Sequence, residues 1–316
     1  MRKKRLINNF SSLLGFVLLG ISLATIHHEL REYNYQDVFN SLVALPTSRL
    51  FVAIGFTIIG YLGMATYDTL AFHYIGHSIA YSKSAFTGFI SAAATNTVGF
   101  AFLTGSAIRY RFYSAWGVSA IAIAQVIAFE NISFWLGLFG VSGVMFLLNP
   151  LVIPSQLKLP FISVRPLGII FLLLVVAYVL GSIVSRKPLK IREQEFRFPS
   201  IKIAIAQIGI SSLDWILAGA VLYVLLPSTT SISYANFLGI FLLAMTAGVV
   251  SNVPSGLGVF ESIILLLLSS KVPAASVLGS LLAYRGVYYF LPLGLATGLL
   301  GLYEIRERLK VRFPES

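Results

Sequence analysis

The sequence contains no cysteine, and only 11% of its 316 residues are charged. Without cysteine the chain has no disulfide, no thiolate-bound metal and no cysteine nucleophile. A soluble domain carries about 25% charged residues, whereas 57% of the residues here are hydrophobic. Water is therefore not the main solvent of this protein, and we predict that it is embedded in a lipid bilayer.

The sequence also lacks the motifs of soluble enzymes. It has no P-loop, no Asp-x-Asp pair, no His-Glu-x-x-His and no Gly-x-Ser-x-Gly. His73 and His77 are four residues apart, but no other histidine or cysteine lies near them to complete a metal site. The longest hydrophilic linker has under about 20 residues, too few for an independent domain. The absence of these motifs favours a transporter over an enzyme, and we predict no catalytic residue, cofactor or metal.

What the sequence does have is a series of long apolar runs. A helix needs about 20 apolar residues to cross the hydrocarbon, and a membrane β-barrel would instead show short alternating segments. The predicted fold class is all-α, a polytopic membrane bundle of about seven or eight spans with one or two re-entrant segments. The predicted spans are Phe10 to Ile26, Leu50 to Phe72, Gly117 to Leu148, Leu167 to Val184, Ile203 to Leu226, Phe237 to Val253 and Ala274 to Tyr303.

Two apolar stretches fit a crossing less well. Ala85 to Leu103 is rich in small and polar residues, and Val259 to Leu268 is too short to cross alone. We predict that the first is re-entrant, because only then does positive-inside counting place the basic linker 186–201 in the cytoplasm. The second half needs one more crossing or dip, and its position stays open.

Basic residues are concentrated in loops and tails, which is typical of membrane topology and does not indicate nucleic-acid binding. Arg2 to Arg5 and the tail 304–316 are both basic, so we predict that both termini are cytoplasmic. No small-residue cleavage site follows the first apolar run. We therefore expect that run to be a retained span and not a signal peptide.

The linker divides the single predicted transmembrane domain, residues 1–316, into the halves 1–185 and 202–303. Each half carries an interrupted apolar segment, ATNTVGF at 94–100 and SNVPSGLG at 251–258. Such segments at corresponding positions indicate an inverted-repeat transporter whose site lies where the broken helices meet. The match is faint, so an inverted repeat stays a hypothesis.

Ionisable residues inside apolar segments are costly and are candidates for function. The candidates are Asp68, Glu130, Asp214, Glu261 and Arg285, together with Arg109 and Arg111 after the first re-entrant stretch. Any one of them could instead extend to an interface or pair for packing.

The stretch from Pro254 to Glu261 predicts a helix break followed by a new helix start. Its free backbone N–H groups, including those of Gly256 and Gly258, would face a phosphate or a carboxylate. Kinks or close packing would equally explain these residues.

Four ordered stretches resemble the N-terminal membrane domain of the bacterial lysylphosphatidylglycerol synthase/flippase family, the multiple peptide resistance factors. They are HHELREYNY at 27–35, LTGSAIRYRFYSAWG at 103–117, VPSGLGVFE at 253–261 and YRGVYYFLPL at 284–293. The resemblance implies a flippase of the bacterial inner membrane, which moves aminoacylated phosphatidylglycerol to the outer leaflet and contributes to antimicrobial peptide resistance. The family's synthase domain would follow Ser316, so we expect no aminoacyl transfer if the chain ends there.

The resemblance also implies roles for the candidate residues. The family's intramembrane acid corresponds to Asp68 and its arginine to Arg109, while Ser255 stands where a glycine is common. Lipid phosphate would be held by Arg109, Arg111, Arg285, Gly256 and Gly258, since guanidinium matches phosphate in a bidentate way. A cationic head group would be received by Asp68, Glu130 or Glu261, and Asp214 is a further head-group or structural acid.

The expected partners are membrane phospholipids and a separate aminoacyl-lipid synthase, and a homo-oligomer is compatible with the sequence. Two other functions stay open. One is a membrane-embedded transferase acting on lipid or polyprenyl phosphate. The other is a non-transporting protein that docks a separate synthase through the basic linker.

Overall fold

A computed structural model describes residues 35–99, 101–151, 163–184, 189–191, 194–196, 198–227, 231–251, 253–269 and 271–312. The helices are α1 (Tyr35–Val43), α2 (Thr47–Tyr74), α3 (Tyr81–Val98), α4 (Ala101–Ala115), α5 (Ala120–Leu148), α6 (Arg165–Val184), α7 (Ile201–Leu225), α8 (Tyr234–Val250), α9 (Val259–Leu268), α10 (Ala274–Tyr284) and α11 (Leu291–Arg312). A 3₁₀ turn (Pro254–Gly256) precedes α9, and a π-helical segment (Arg285–Phe290) joins α10 to α11. Within the predicted linker, β1 (Leu189–Ile191) and β2 (Gln194–Phe196) form a small antiparallel ribbon.

Five described helical runs are long and apolar enough to cross a membrane: α2, α5, α6, α7 and the continuous run Ala274–Arg306. This confirms the prediction of a polytopic helical membrane protein, while the predicted span Phe10 to Ile26 lies outside the described residues. The third predicted span begins at Ala120 and not at Gly117. Gly117 has a φ of +81°, and Ser119 starts the helix by accepting the N–H of Ala122.

The stretch predicted to be re-entrant is the first limb of a helical hairpin. Helix α3 ends at Gly99, where φ is +74°, and α4 folds back along it, so that the rings of Phe86 and Phe112 lie 5.4 Å apart. The prediction from Ala85 to Leu103 thus covers one limb and the turn. The returning limb was missed because its arginines lower the local hydropathy, although Arg109 is buried.

A second helical hairpin occupies the other half. Helix α8 corresponds to the predicted span Phe237 to Val253, but it has 17 residues and the chain then turns back into α9. The rings of Phe241 and Phe260 lie 5.6 Å apart across this hairpin. At its tip a Cβ on Gly248 would lie 3.3 Å from the Cα of Gly256, so two glycines let the limbs approach. The extra dip required in the second half is therefore the α8–α9 hairpin.

The two halves repeat the same order of elements. Equivalent helices begin 153 or 154 residues apart: Thr47 and Ile201 for α2 and α7, Tyr81 and Tyr234 for α3 and α8, and Ala120 and Ala274 for α5 and α10. Helices α2 and α7 run antiparallel. Arg49 near the start of α2 bonds to Leu226 at the end of α7, while Gly60 faces Asp214 near the middle of both helices. This order and direction of the helices are those expected of an inverted repeat, which stays a hypothesis.

Small and polar residues hold the long helices together. A Cβ on Gly137 of α5 would lie 2.6 Å from backbone atoms of Ser211 on α7. Nearby, the buried Gln207 donates to Ser133 Oγ at 2.8 Å and accepts from the Tyr178 hydroxyl at 2.5 Å, which links α5, α6 and α7. In lipid, close packing and such hydrogen bonds drive helix association, because apolar burial alone does not.

We expect Gly137→Ala to destabilise the protein by about 1–3 kcal/mol, since α5 and α7 must separate to admit the methyl group. The thermal unfolding midpoint of the detergent-purified protein, followed by tryptophan fluorescence, should fall. Gly209→Ala is the matched control, because a Cβ there meets nothing within 4 Å. Equal midpoints for the two variants would contradict the close contact.

Candidate functional site

A buried ion pair joins α2 to α4. Asp68 is fully buried, and Arg109 is 8% exposed. Arg109 Nε donates to the two carboxylate oxygens at 3.0 and 3.1 Å, and Nη2 donates to Oδ1 at 2.8 Å. The hydroxyl of Tyr113, one turn after Arg109, donates to Oδ2. This bidentate geometry satisfies both oxygens of a charge that hydrocarbon would otherwise strongly disfavour.

Glu130 of α5 adds a second carboxylate to the same guanidinium. Its Oε2 lies 3.2 Å from Arg109 Nη2, whereas its buried Oε1 has no hydrogen-bond partner in the described part of the chain. Arg109 Nη1 likewise donates to no oxygen of the described residues. The side chains of Arg109 and Glu130 are 9% and 13% exposed. The carboxyl groups of Asp68 and Glu130 also share a hydrogen bond. The Asp68 triad (Asp68, Arg109 and Glu130) is therefore one network, in which Glu130 Oε1 and Arg109 Nη1 have no further partner among the described residues.

Gly105 allows this geometry. It lies one turn before Arg109, and a Cβ there would be 3.2 Å from Arg109 Nη1 and 2.5 Å from Thr95 Oγ1. Long helical side chains point back toward the preceding turn, so the guanidinium occupies the space above this residue. The glycine therefore lets α4 lie against α3 while Arg109 reaches Asp68.

The second predicted group forms a separate ion pair at the tip of the α8–α9 hairpin. Arg285 Nε and Nη2 donate to Glu261 Oε1 at 2.9 and 2.5 Å, and the guanidinium lies 4.7 Å from the ring centre of Tyr289. The other oxygen of Glu261 accepts the Gly258 N–H at 2.9 Å, and the Gly256 N–H donates to Val253. In this conformation these groups are already partnered, so phosphate binding by Arg285, Gly256 and Gly258 stays a prediction.

The interrupted segments of the two halves meet. Ser255 has a φ of +53°, and its hydroxyl donates to the carbonyl oxygens of Thr97 at 2.7 Å and Asn96 at 3.2 Å. A left-handed backbone favours glycine, so a glycine, which the resemblance led us to expect here, would adopt this conformation without strain. The sequence showed the two interruptions but not that a serine hydroxyl joins them.

The π-helical segment extends this contact. Tyr61 of α2 donates its hydroxyl to the Tyr288 carbonyl at 3.0 Å, and Thr97 donates to the Tyr289 carbonyl at 3.1 Å. A π-helical turn frees carbonyl groups of the regular ladder, and such turns are frequent at functional sites. Side chains of the first half thus satisfy backbone groups of the second half.

The remaining candidates form no hydrogen bond or ion pair with the triad in the described part of the chain, although Asp214 interacts electrostatically with Glu130. Asp214 is in the middle of α7, where its buried Oδ1 has no described partner and faces Gly60. Arg111 is exposed and pairs with Glu304 of α11, so it does not join Arg109. Over the described ranges no group of three or more acidic, histidine or cysteine side chains could hold a metal ion. Sequence reasoning missed Tyr113, although its spacing of four residues from Arg109 places both on one helix face.

Comparison with known proteins gives a consistent picture. Residues 11–296 match the family described as the lysylphosphatidylglycerol synthase TM region. An uncharacterized protein of Synechocystis sp. is 45% identical over 96% of this chain and 94% of its own length. The inner membrane protein YbhN of Escherichia coli is 30% identical over 84% of this chain and 83% of its own length.

Longer relatives match as well. A phosphatidylglycerol lysyltransferase of Staphylococcus haemolyticus is 27% identical over 99% of this chain but only 36% of its own length. The chain thus spans about a third of the lysyltransferases that it matches. The resemblance drawn from the four sequence stretches is confirmed at the level of the family.

We expect removal of the triad's members to destabilise the protein unequally. Arg109→Met leaves two buried carboxylates without a counter-charge and should cost about 3–5 kcal/mol. Asp68→Asn should cost less, because Glu130 still pairs with the guanidinium, and Glu130→Gln should cost least, because it leaves the bidentate Asp68–Arg109 pair intact. Thermal unfolding in detergent gives the order. A Glu130→Gln variant as unstable as Arg109→Met would contradict it.

Ser255→Ala should destabilise the contact between the hairpin tips by about 0.5–1.5 kcal/mol, the net worth of a typical hydrogen bond. Ser255→Gly should be less destabilised, because glycine adopts the positive φ without strain. Ser269→Ala is the control, since that exposed serine bonds only to the carbonyl of Leu266 in its own helix. Unfolding midpoints that coincide for Ser255→Ala and Ser269→Ala would rule out a structural role for the tip contact.

Proposed function

The chain belongs to the family of the lysylphosphatidylglycerol synthase transmembrane region, and we propose that it is a lipid flippase. Its cargo would be phosphatidylglycerol, the aminoacylated form or a related anionic lipid, moved between the leaflets of a bacterial inner membrane. The names of its relatives support both the membrane and the cargo, since one relative is an inner membrane protein and others are phosphatidylglycerol lysyltransferases.

This proposal rests on two atoms of the Asp68 triad that have no hydrogen-bond partner among the described residues. Among the described residues, Arg109 Nη1 has no acceptor and Glu130 Oε1 has no donor. An aminoacylated phosphatidylglycerol head group carries a phosphate and an ammonium, which require a donor and an acceptor of this kind. Asp68 and Glu261 have both oxygens engaged, so Glu130 is the best placed of these acids to receive the ammonium.

A polar binding site of this kind would lower the free-energy barrier to lipid translocation. A charged group in hydrocarbon costs on the order of several kcal/mol. Replacing part of its lost hydration by fixed charges reduces that cost without covalent chemistry. No catalytic residue is required, and lysyl transfer, named for relatives of which this chain spans about a third, is not part of the proposal.

The inverted repeat supports alternating exposure of the two membrane faces. In transporters of this kind, sites lie where discontinuous helices of the two repeats meet. Here the α3–α4 and α8–α9 tips are joined by Ser255, and the first half is bonded to the π-helical segment by Tyr61 and Thr97. In the proposed cycle these hydrogen bonds between the halves break and re-form as the path opens to either side.

Positive-inside counting orients the proposed path. The linker 186–201 is basic, so α7 would begin at the cytoplasmic face. Since α2 runs antiparallel to α7, α2 would begin at the outer face and approach the cytoplasm at Tyr74. Asp68 lies six residues before that end, so the triad would face lipids of the cytoplasmic leaflet.

We expect Glu130→Gln to slow translocation of lysylphosphatidylglycerol by about tenfold or more, the effect of losing one charge-assisted hydrogen bond. Phosphatidylglycerol, which has no ammonium, should be affected less. Translocation is measured in proteoliposomes with fluorescent lipids and leaflet-selective quenching. Glu130→Gln is chosen because it leaves the Asp68–Arg109 pair intact.

Arg165→Gln is the control, because it removes an exposed positive charge at the start of α6. It should translocate both lipids at the parent rate. Equal rates for the parent protein and Glu130→Gln on the lysyl lipid would remove Glu130 from the site. Movement of neither lipid by the parent protein would overturn the flippase proposal.

A further inference from the structure

A cavity of about 290 Å³ opens at the end of the bundle where α2 begins and α7 ends. It is lined by Ser48, Arg49, Val52, Tyr223, Val224, Leu226 and Pro227. This volume is near the lower limit for small-molecule sites. It suits a lipid head group better than a larger ligand.

Arg49 is the charged group of this cavity. Its side chain is half-buried, and Nη1 donates to the carbonyl of Leu226 at 2.5 Å. Among the described residues no carboxylate lies within ion-pair distance of it, whereas the buried guanidinium groups of Arg109 and Arg285 are both paired with acids. A guanidinium has five N–H donors, and the described residues use one of them, so the others and the positive charge are open to an anion as far as the described part of the chain shows.

An apolar stripe continues from the cavity along α2. Val52, Ile59 and Leu62 are 46%, 51% and 62% exposed, and a Cβ on Gly55 would meet nothing within 4 Å. Spacings of three and four residues place these positions on one helix face. The stripe thus offers an acyl chain a contact surface with a shallow recess below the charged cavity.

The cavity lies far from the Asp68 triad. Arg49 precedes Asp68 by 19 residues on the same helix, which is about 28 Å along its axis. This distance is close to the thickness of the hydrocarbon layer. A head group at Arg49 would therefore belong to a lipid of the leaflet opposite to the one that the triad faces.

We propose that this cavity binds the phosphate of an anionic phospholipid in that opposite leaflet. Arg49 is the phosphate ligand, and the stripe formed by Val52, Gly55, Ile59 and Leu62 holds one acyl chain. The interpretation of the cavity as a second head-group binding site on the translocation path rests on the proposed function. Lipid binding as such does not depend on translocation.

A simpler role for Arg49 is to cap α7, because basic side chains often bond to the last carbonyls of a helix. Arg49→Gln separates the two roles. Glutamine keeps an amide donor for the Leu226 carbonyl but removes the positive charge. Arg49→Lys keeps both the charge and N–H donors and loses only the planar fork.

The test uses the absence of cysteine from the chain. A fluorophore on Ile59→Cys reports on the stripe in phosphatidylcholine bicelles, to which phosphatidylglycerol or phosphatidylcholine with a mid-chain nitroxide quencher is added. We expect quenching by phosphatidylglycerol to need about fivefold less lipid, as for one basic residue near a membrane surface. The preference should vanish in Arg49→Gln and persist in Arg49→Lys and in Arg165→Gln.

Equal quenching by the two lipids, or a preference that survives Arg49→Gln in a folded protein, would overturn the proposal. Inorganic phosphate distinguishes the source of the anion. It should leave the preference unchanged at millimolar concentration, and abolition of the preference would assign the cavity to a free anion. Because this is an equilibrium measurement, its failure would leave the translocation result for Glu130 standing.

Discussion

The structure depends on the requirement that every backbone polar group inside a membrane finds a partner within the protein. In the described part of the chain, helices are interrupted at Gly99 and at Pro254–Gly256, and each interruption exposes N–H and C=O groups. The fold brings the interruptions together, so that Ser255 bonds to the carbonyl groups left by the first break. Contact between the two halves thus supplies partners for backbone groups that the helix breaks leave without them.

The same low-dielectric environment governs the charged side chains. Glu261 and Arg285 form a balanced pair that also fastens the second hairpin tip, since Glu261 accepts the N–H of Gly258. The Asp68 triad has two carboxylates around one guanidinium and leaves an acceptor and a donor unused. The Glu261–Arg285 pair, with one acid and one base, needs no further partner. The Asp68 triad, with two acids and one base, could still gain hydrogen bonds from a bound ligand. This difference distinguishes the triad as the candidate site.

Much of the fold could be predicted from the sequence, because hydropathy reports the length of apolar helices directly. The hairpin tips were also visible, as glycines and a proline break apolar runs. Helix α4 was not predicted, because hydropathy counts Arg109 as polar although Asp68 pairs with it in the interior. Which acid pairs with which arginine depends on the distance between helices far apart in sequence, and Arg49 escaped notice because it lies at a span end, where basic residues are common.

The inverted repeat has unlike chemistry in its two halves. Glu130 lies ten residues after the start of α5, and Arg285 lies eleven residues after the start of α10, the equivalent helix. By this count Glu130 is equivalent to Tyr284, and Arg285 lies one residue farther on, about 100° around the helix. A symmetric pair of halves would present the same site to both leaflets and would favour neither direction. Because the charges differ, a lipid head group moved as proposed would meet different partners in the two halves, although such a difference in binding cannot by itself drive net movement to one leaflet.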